Sequence, residues 1–327
     1  MGGNAFENLR RLPAKDYRQL EAELVQKLGT IYPTLMPLPY YRDKSDFGDL
    51  DLIVQKPKLE RRDFEAFLAS IGSQQVAYNS DIISFVYQDF QVDLIFVAPE
   101  HVETALFYFA YNDLNNLVGR IAHKLGLKFG WDGLSYQIRT ESGHRAEEIL
   151  LSRNPAEIYA FLGYDYARWQ QGFDSLAQIF EFVSSSPYFN PTIYDEGQLN
   201  HINRTRNRKR KTYMLFLDWL KQQAELPAYA FDKDKSIYLI RIHNAFPEVN
   251  FFGQLADYAN RQRQYELRNA KFNGHLVQAW TGLSGKQLGR WIQAFKASQA
   301  DFEAWLDIQP ATDIEAAFRQ FQQTHML

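Results

Sequence analysis

Residues 46–54, DFGDLDLIV, place two aspartates two apart inside a run of strand-forming apolar residues. Withdrawing an ionised carboxylate from water costs several kcal/mol unless it is paired, hydrogen-bonded or bound to a metal. Acidic pairs with the same spacing recur at 21/23, 63/65, 232/234, 301/303 and 313/315, but there they stand in helix-like or loop-like polar stretches where a charge faces water. Side chains alternate along a strand, so Asp49, Asp51 and Ile53 share one face while Leu50, Leu52 and Val54 share the other. Both carboxylates therefore point to one place.

Asp93, in FQVDLIFV, is again a lone acid in an apolar strand. Neighbouring strands lie about 4.8 Å apart, close enough for three acids to meet. Converging carboxylates suit Mg²⁺, with Mn²⁺ as the alternative, because hard cations take carboxylate and phosphate oxygens. Two such ions about 3.5–4 Å apart activate an attacking hydroxyl and stabilise a leaving pyrophosphate oxygen. In the competing reading Asp49 caps the strand start and Asp93 pairs with an arginine.

The chain has 327 residues, 46% of them apolar, which suits a folded protein of two domains. Lys and Arg total 36 against 39 Asp and Glu, and the net charge of -3 excludes a uniformly basic nucleic-acid coat, so any basic function is local. With no cysteine, disulfides, thiolate zinc sites and thiol nucleophiles are excluded together. The start, MGGNAFENLRRLPAK, lacks a signal-peptide core, and no apolar run approaches the ~20 residues of a membrane span. A cytoplasmic protein with no membrane partner is the expectation. Aromatic residues make up 15%, a proportion that core filling explains more simply than base stacking.

The first half alternates helical and strand periodicity. DYRQLEAELVQKLGTIY and ERRDFEAFLASIG read as helices, GDLDLIV as a strand, and DIISFVYQDFQVDLIFVAP as two strands joined at Gln88 and Asp89. NDLNNLVGRIAHKLGLKFG reads as a helix running to the glycines at 126–130, and GLSYQIR as a short strand. Beyond residue 150 the pattern is helical, with one strand expected at SIYLIRI; Ser152 is the expected cap of the helix around Pro155, and Ser284 and Gln287 stand at capping-box spacing. The expected fold class is α+β, with a small mixed-sheet domain at 1–150 and a mainly helical domain at 151–327.

A glycine, then DLDLIV, then a later strand VDLI resembles the DNA polymerase β-like nucleotidyltransferase superfamily, which includes poly(A) polymerases, CCA-adding enzymes and antibiotic nucleotidyltransferases. The resemblance covers residues 36–97. It implies a small mixed sheet with helices, Asp49, Asp51 and Asp93 as ligands of two Mg²⁺, and transfer of a nucleoside monophosphate from an NTP to a hydroxyl. Where the family carries a Gly-Ser pair on a short helix before the acids, holding the triphosphate, this chain has YYRDKSDFGD. Lys44 and Ser45 are the nearest replacements, with Arg42 adding charge. Further along, GLSGKQLGRWIQAFK resembles Gly-x-x-Leu-Gly helices of tRNA nucleotidyltransferases, in which Gly285 and Gly289 would allow close helix packing or approach to phosphate.

Two cationic stretches complete the candidates. On a helix Asn116, Arg120, His123 and Lys124 fall within a turn or so of one another and present a polar, cationic face, which is either a phosphate contact or an ordinary solvated surface. From 204 to 211 six of eight residues are basic and none is acidic. A continuous helix would align His201, Arg204, Arg208 and Lys211, and this charge density in an acidic chain favours a polyanion such as RNA or the NTP. The expected function is metal-dependent nucleotidyl transfer, with Asp93 drawing the proton from the acceptor. The acceptor expected is an RNA 3′ end, with Arg120, Lys124, Arg204 and Arg208 among the nucleotide contacts. A protein, a small molecule or a second nucleotide as acceptor, and a catalytically silent RNA-binding scaffold, are the alternatives. The sequence leaves the choice of NTP and the oligomeric state open.

Overall fold

The computed structural model describes residues 5–73, 75–140, 142–195, 197, 201–208 and 210–325. The chain is α+β and divides into two compact units, Met1–Val249 and Asn250–Leu327. The change from alternating to helical pattern near residue 150 falls inside the first unit.

In chain order the first unit opens with β1 (Leu12–Pro13), α1 (Ala14–Gly29), β2 (Met36–Pro37), β3 (Asp46–Phe47), β4 (Asp49–Gln55) and α2 (Arg61–Ser70). It continues with β5 (Val76–Asn79), β6 (Ile82–Tyr87), β7 (Phe90–Val97), α3 (Val102–Phe109) and α4 (Leu114–Lys124). A second sheet of β8 (Leu127–Gly130), β9 (Gly133–Arg139) and β10 (Arg145–Ser152) leads into α5 (Pro155–Leu162), α6 (Tyr166–Gln170), α7 (Leu176–Ser184), α8 (His201–Arg208), α9 (Lys211–Lys221) and α10 (Leu239–Ala245).

The central sheet has strand order β2-β4-β7-β6-β5. β4 and β7 run parallel, while the other pairs are antiparallel. The β6–β7 connection at Gln88 and Asp89 is the two-residue turn expected there, with both residues at positive φ, the backbone twist that a tight hairpin demands. Alternation then sorts the two faces. Leu50, Leu52 and Val54 join Phe90, Val92, Leu94 and Phe96 in a core closed by Tyr17, Leu20, Leu24 and Leu28 of α1 and Phe64 and Leu68 of α2. On the other face Ile53, Ile95 and Val97 pack against Ala105, with Val102, Leu106 and Phe109 at the margin, all from α3. The apolar contacts of α3 on this face are with Ile53, Ile95 and Val97, toward the C-terminal ends of β4 and β7. Their N-terminal halves carry the acids on that face.

Several local expectations are corrected. SIYLIRI is not a strand: Lys235–Tyr238 forms a 3-10 turn and α10 follows, with Tyr238 and Ile242 buried. Apolar residues on one helical face outweigh the β-branched composition when a helix layer, not a sheet edge, is the neighbour. The helix begun at Leu114 stops at Lys124, and β8 occupies Leu127–Gly130. Asn154 caps α5 through its side chain, while Ser152 instead donates to Glu157. The basic run is not one helix: α8 ends at Arg208 and α9 starts at Lys211, so Lys211 does not continue the α8 face; Lys209 lies outside the described residues.

The second unit comprises α11 (Phe251–Lys271), α12 (Gly274–Thr281), α13 (Gly285–Ala297), α14 (Phe302–Ile308) and α15 (Ala311–Thr324). Phe272, Val277, Trp291, Phe295, Leu306, Ile314 and Phe318 form its core. Arg268 forks onto both oxygens of Asp307, at 2.8 and 2.7 Å, and Lys271 donates to the carbonyls of Leu306, Asp307 and Gln309. Basic groups at that helix end satisfy carbonyls left without intrahelical partners. Close packing at Gly289 is not found, since a Cβ added there meets nothing within 4 Å, and Ser284 stands at the α13 N-cap without a side-chain capping bond. Among the described residues no helix is long and apolar enough to cross a membrane.

The core assignment predicts that Leu94→Ala lowers stability by about 2–5 kcal/mol, the usual cost of truncating a buried leucine. Ile308→Ala, at a 77% exposed position, shifts it by under about 0.5 kcal/mol. Urea unfolding of the two variants measures the contrast, and equal shifts would refute the burial of β7.

Candidate metal centre

The parallel pairing of β4 with β7 sets Asp49 opposite Gln91 and Asp51 opposite Asp93. Odd-numbered residues of both strands share one face, so one register places three acids and an amide on one patch. One carboxylate oxygen from each of Asp49, Asp51 and Asp93 lies within 4.8 Å of the others. Like charges so close and so shielded from water repel strongly.

The neighbours treat the three acids differently. Gln91 Nε2 donates to both oxygens of Asp93 at 2.9 Å, and Gln91 Oε1 accepts from the Ala5 amide at 3.1 Å. Ser84 on β6 lies opposite Asp93 in register and hydrogen-bonds to it from the other side. Burial pushes Asp93 above the usual carboxylate range while the Ser84 and Gln91 bonds pull it back. Burial, reinforced by the charges of Asp49 and Asp93, pushes Asp51 up to about 7. Asp49 Oδ2 is buried with no hydrogen-bond partner among the described residues. A patch with a proton-hungry carboxylate, an unpaired buried oxygen and three converging ligands fits a divalent cation, which would relieve all three deficits at once.

Lys44 is a cation close to this chemistry. Burial lowers its ammonium and the charges of Asp49 and Asp51 act in the opposite direction. Its Nζ lies 4.3 Å from the Phe47 ring centroid and donates to Asn112 Oδ1 at 3.1 Å. Asn112 and Tyr111 both adopt positive φ, +60° and +55°, in the turn between α3 and α4, and the Tyr111 amide donates to Pro39. Such a turn in non-glycine residues stores strain that surrounding contacts must hold. Arg11 pairs with Asp46 just before the acids.

The other residues singled out from sequence are dispersed. Ser45 is exposed, and its carbonyl accepts from the Ala14 amide. Arg42 is tied to Asp174 at 2.5 Å and to the Gln171 carbonyl at 2.6 Å, bracing the loop after α6. Arg120, half-buried on α4, donates to the Ile193 carbonyl at 2.9 Å. The Lys124 carbonyl accepts from Lys235. Arg204 and Arg208 lie on α8, the first half-buried and the second exposed. Arg210, between α8 and α9, pairs with Asp113 at the start of α4.

Sequence reasoning passed over Gln91, Ser84 and Asn112. Gln91 carried a legible signal, an amide inside an apolar strand with the same face parity as Asp93. Ser84 and Asn112 carried none, because only the pairing of β6 with β7 and the turn at 111–112 bring them in.

The raised Asp51 carboxyl gives a pH prediction. Between an unfolded value of about 4 and its folded value of about 7, the native state holds more protons than the unfolded chain, so its contribution to stability is full below that window and is lost as pH rises through it. Denaturant titrations of metal-free protein across this range should show stability falling with pH, more steeply than in Asp51→Asn, which stays neutral. Mg²⁺ affinity should rise over the same window, since binding displaces the proton; identical pH slopes in the two proteins would refute the assignment.

Comparison of the chain with protein-family models finds no match, and comparison with curated proteins finds none either.

Proposed function

We propose that the protein is a metal-dependent nucleotidyltransferase that moves a nucleoside monophosphate from an NTP to a hydroxyl, preferentially at an RNA 3′ end. The observation that carries this reading is the register of β4 on β7, which gathers Asp49, Asp51 and Asp93 within 4.8 Å on one sheet face. Asp49 and Asp51 would hold both divalent cations and Asp93 would complete the set. When bound, the ions supply Lewis acidity and neutralise phosphate charge.

The chain's own groups divide the remaining work. Asp93, held from two sides by Gln91 and Ser84 and pushed above the ordinary carboxylate range, is suited to accept the proton of the attacking hydroxyl. Gln91 fixes the plane of that carboxylate, so its role is positioning. Lys44, carried next to the acids by the loop between β2 and β3, supplies positive charge for the triphosphate, and its bond to Asn112 fixes the ammonium. The arginines of α8 and Arg120 on α4 suit the phosphates of an RNA acceptor, whose engagement would make binding strongly salt-dependent.

Incubation with each labelled NTP, Mg²⁺ and total RNA tests the proposal, with label expected in RNA. Asp93→Asn should lower turnover by about 10²–10⁴-fold or more, the range of a lost general base, while the metal-free protein remains folded. Gln91→Ala should lower kcat less and leave KM for the NTP little changed. Label in no product under any NTP would sink the reading.

The salt dependence is a separate expectation. Neutralising Arg204, Arg206, Arg208 and Arg210 together should flatten the log–log salt slope of RNA binding by roughly 0.7–0.9 for each phosphate the variant no longer neutralises. An unchanged slope would remove α8 from the acceptor path.

A further inference from the structure

α4 and α8 flank an open pocket of about 170 Å³ whose lining includes Tyr108 of α3, Asn116, Arg120, His123, Arg206 and Asn207. Asn116, Arg120 and His123 stand at i, i+4 and i+7, so one face of α4 supplies three polar groups. Among the described residues no carboxylate lines the cavity. Two of its polar groups are unsatisfied: Asn116 Nδ2 and Arg120 Nε are buried donors without a hydrogen-bond partner among the described residues. Desolvation, and then the charges of Arg120, Arg139, Lys124 and Lys235, push the His123 imidazole below its ordinary range. Arg206 and Arg210 pull against the burial that raises Tyr108, ahead of the opposing charges of Asp113 and Asp132. The cavity is therefore a place of positive potential with donors lacking acceptors.

Its walls are fixed in advance. Arg210 pairs with Asp113 at the start of α4, the Arg210 amide donates to the carbonyl of Asn207, and Asn207 is itself buried. Gly119, also in the lining, leaves open space, since a Cβ added there meets nothing within 4 Å. Sites that take a whole drug-sized ligand run to about 300–1,000 Å³, so this one accommodates a single group of a larger molecule. Guanidinium forks and amide N–H groups match the oxygens of a tetrahedral oxyanion.

The geometry points to an oxyanion site between α4 and α8 that takes one phosphate group of a transfer substrate. The link to a substrate rests on the proposed function, whereas the oxyanion site itself does not. Asn112, the partner of Lys44, stands in the turn that leads into α4, four positions before Asn116 in sequence.

Calorimetric titration of metal-free protein with inorganic phosphate tests the site without engaging the acids. Saturable uptake is expected in the wild type and in Asp51→Asn, with affinity reduced at least tenfold in Arg206→Gln. Gly119→Leu adds no charge and sits on a helix face with open space, so it should block uptake by filling the cavity, which a diffuse positive surface would not register. Absence of uptake in the wild type, or uptake unchanged in both cavity variants, would overturn the inference. Competition then identifies the source: displacement by a 5′-phosphorylated oligoribonucleotide alone assigns the phosphate to the acceptor, displacement by metal-free ATP assigns it to the donor, and displacement by neither overturns the link to a substrate. Phosphate uptake in a protein that labels no product with any NTP refutes the proposed function and leaves the oxyanion site standing.

Discussion

Repulsion among three carboxylates on the paired strands β4 and β7 is the constraint around which the first unit is arranged. The backbone pairing that opposes Asp51 to Asp93 is the same pairing that aligns Leu52 with Leu94 and Ile53 with Ile95, so the core and the acid patch come from one register. A slip of one residue would send the acids into the layer filled by α1 and α2 and the leucines toward solvent. The apolar burial on one face therefore holds together charges that would otherwise drive the strands apart. Gln91 and Ser84 take part of the remaining load by hydrogen-bonding Asp93, and a raised Asp51 carboxyl takes another part by keeping its proton.

Much of that arrangement was legible in the sequence, because strand alternation is a local rule and the acids broke an otherwise apolar pattern. The hairpin at Gln88 and Asp89 was legible for the same reason. The strand expected at SIYLIRI failed because composition was read without its neighbours, and there the partner is a helix layer. β8 was absorbed into the preceding helix because Leu125 and Leu127 continue an apolar rhythm that either structure accepts. The basic run looked continuous in charge, yet α8 stops at Arg208 and Arg210 turns to Asp113, an ion pair between residues far apart in the chain that no local pattern announces.

The cations show how charge counting alone misleads. Lys44, Arg42 and Ser45 are near neighbours in sequence and were candidates together, but the fold gives them different tasks. Lys44 stays with the acids, Arg42 braces the loop at 171–174, and Ser45 faces solvent. Arg206, by contrast, was one charge among six, and becomes distinct only when α8 is laid against α4. Residue type supplied the candidates and tertiary contact selected among them.

α3 has a further meaning for the site. An eight-residue helix is about 12 Å long, whereas a seven-residue strand such as β4 extends about 23 Å. The helix cannot span the strand from end to end, and its apolar contacts lie with Ile53, Ile95 and Val97, toward the strand ends away from the acids. A single added helical turn, about 5.4 Å, would carry that apolar cover toward the acids without altering any of them, so the length of this helix is a route by which such a scaffold changes access to the site.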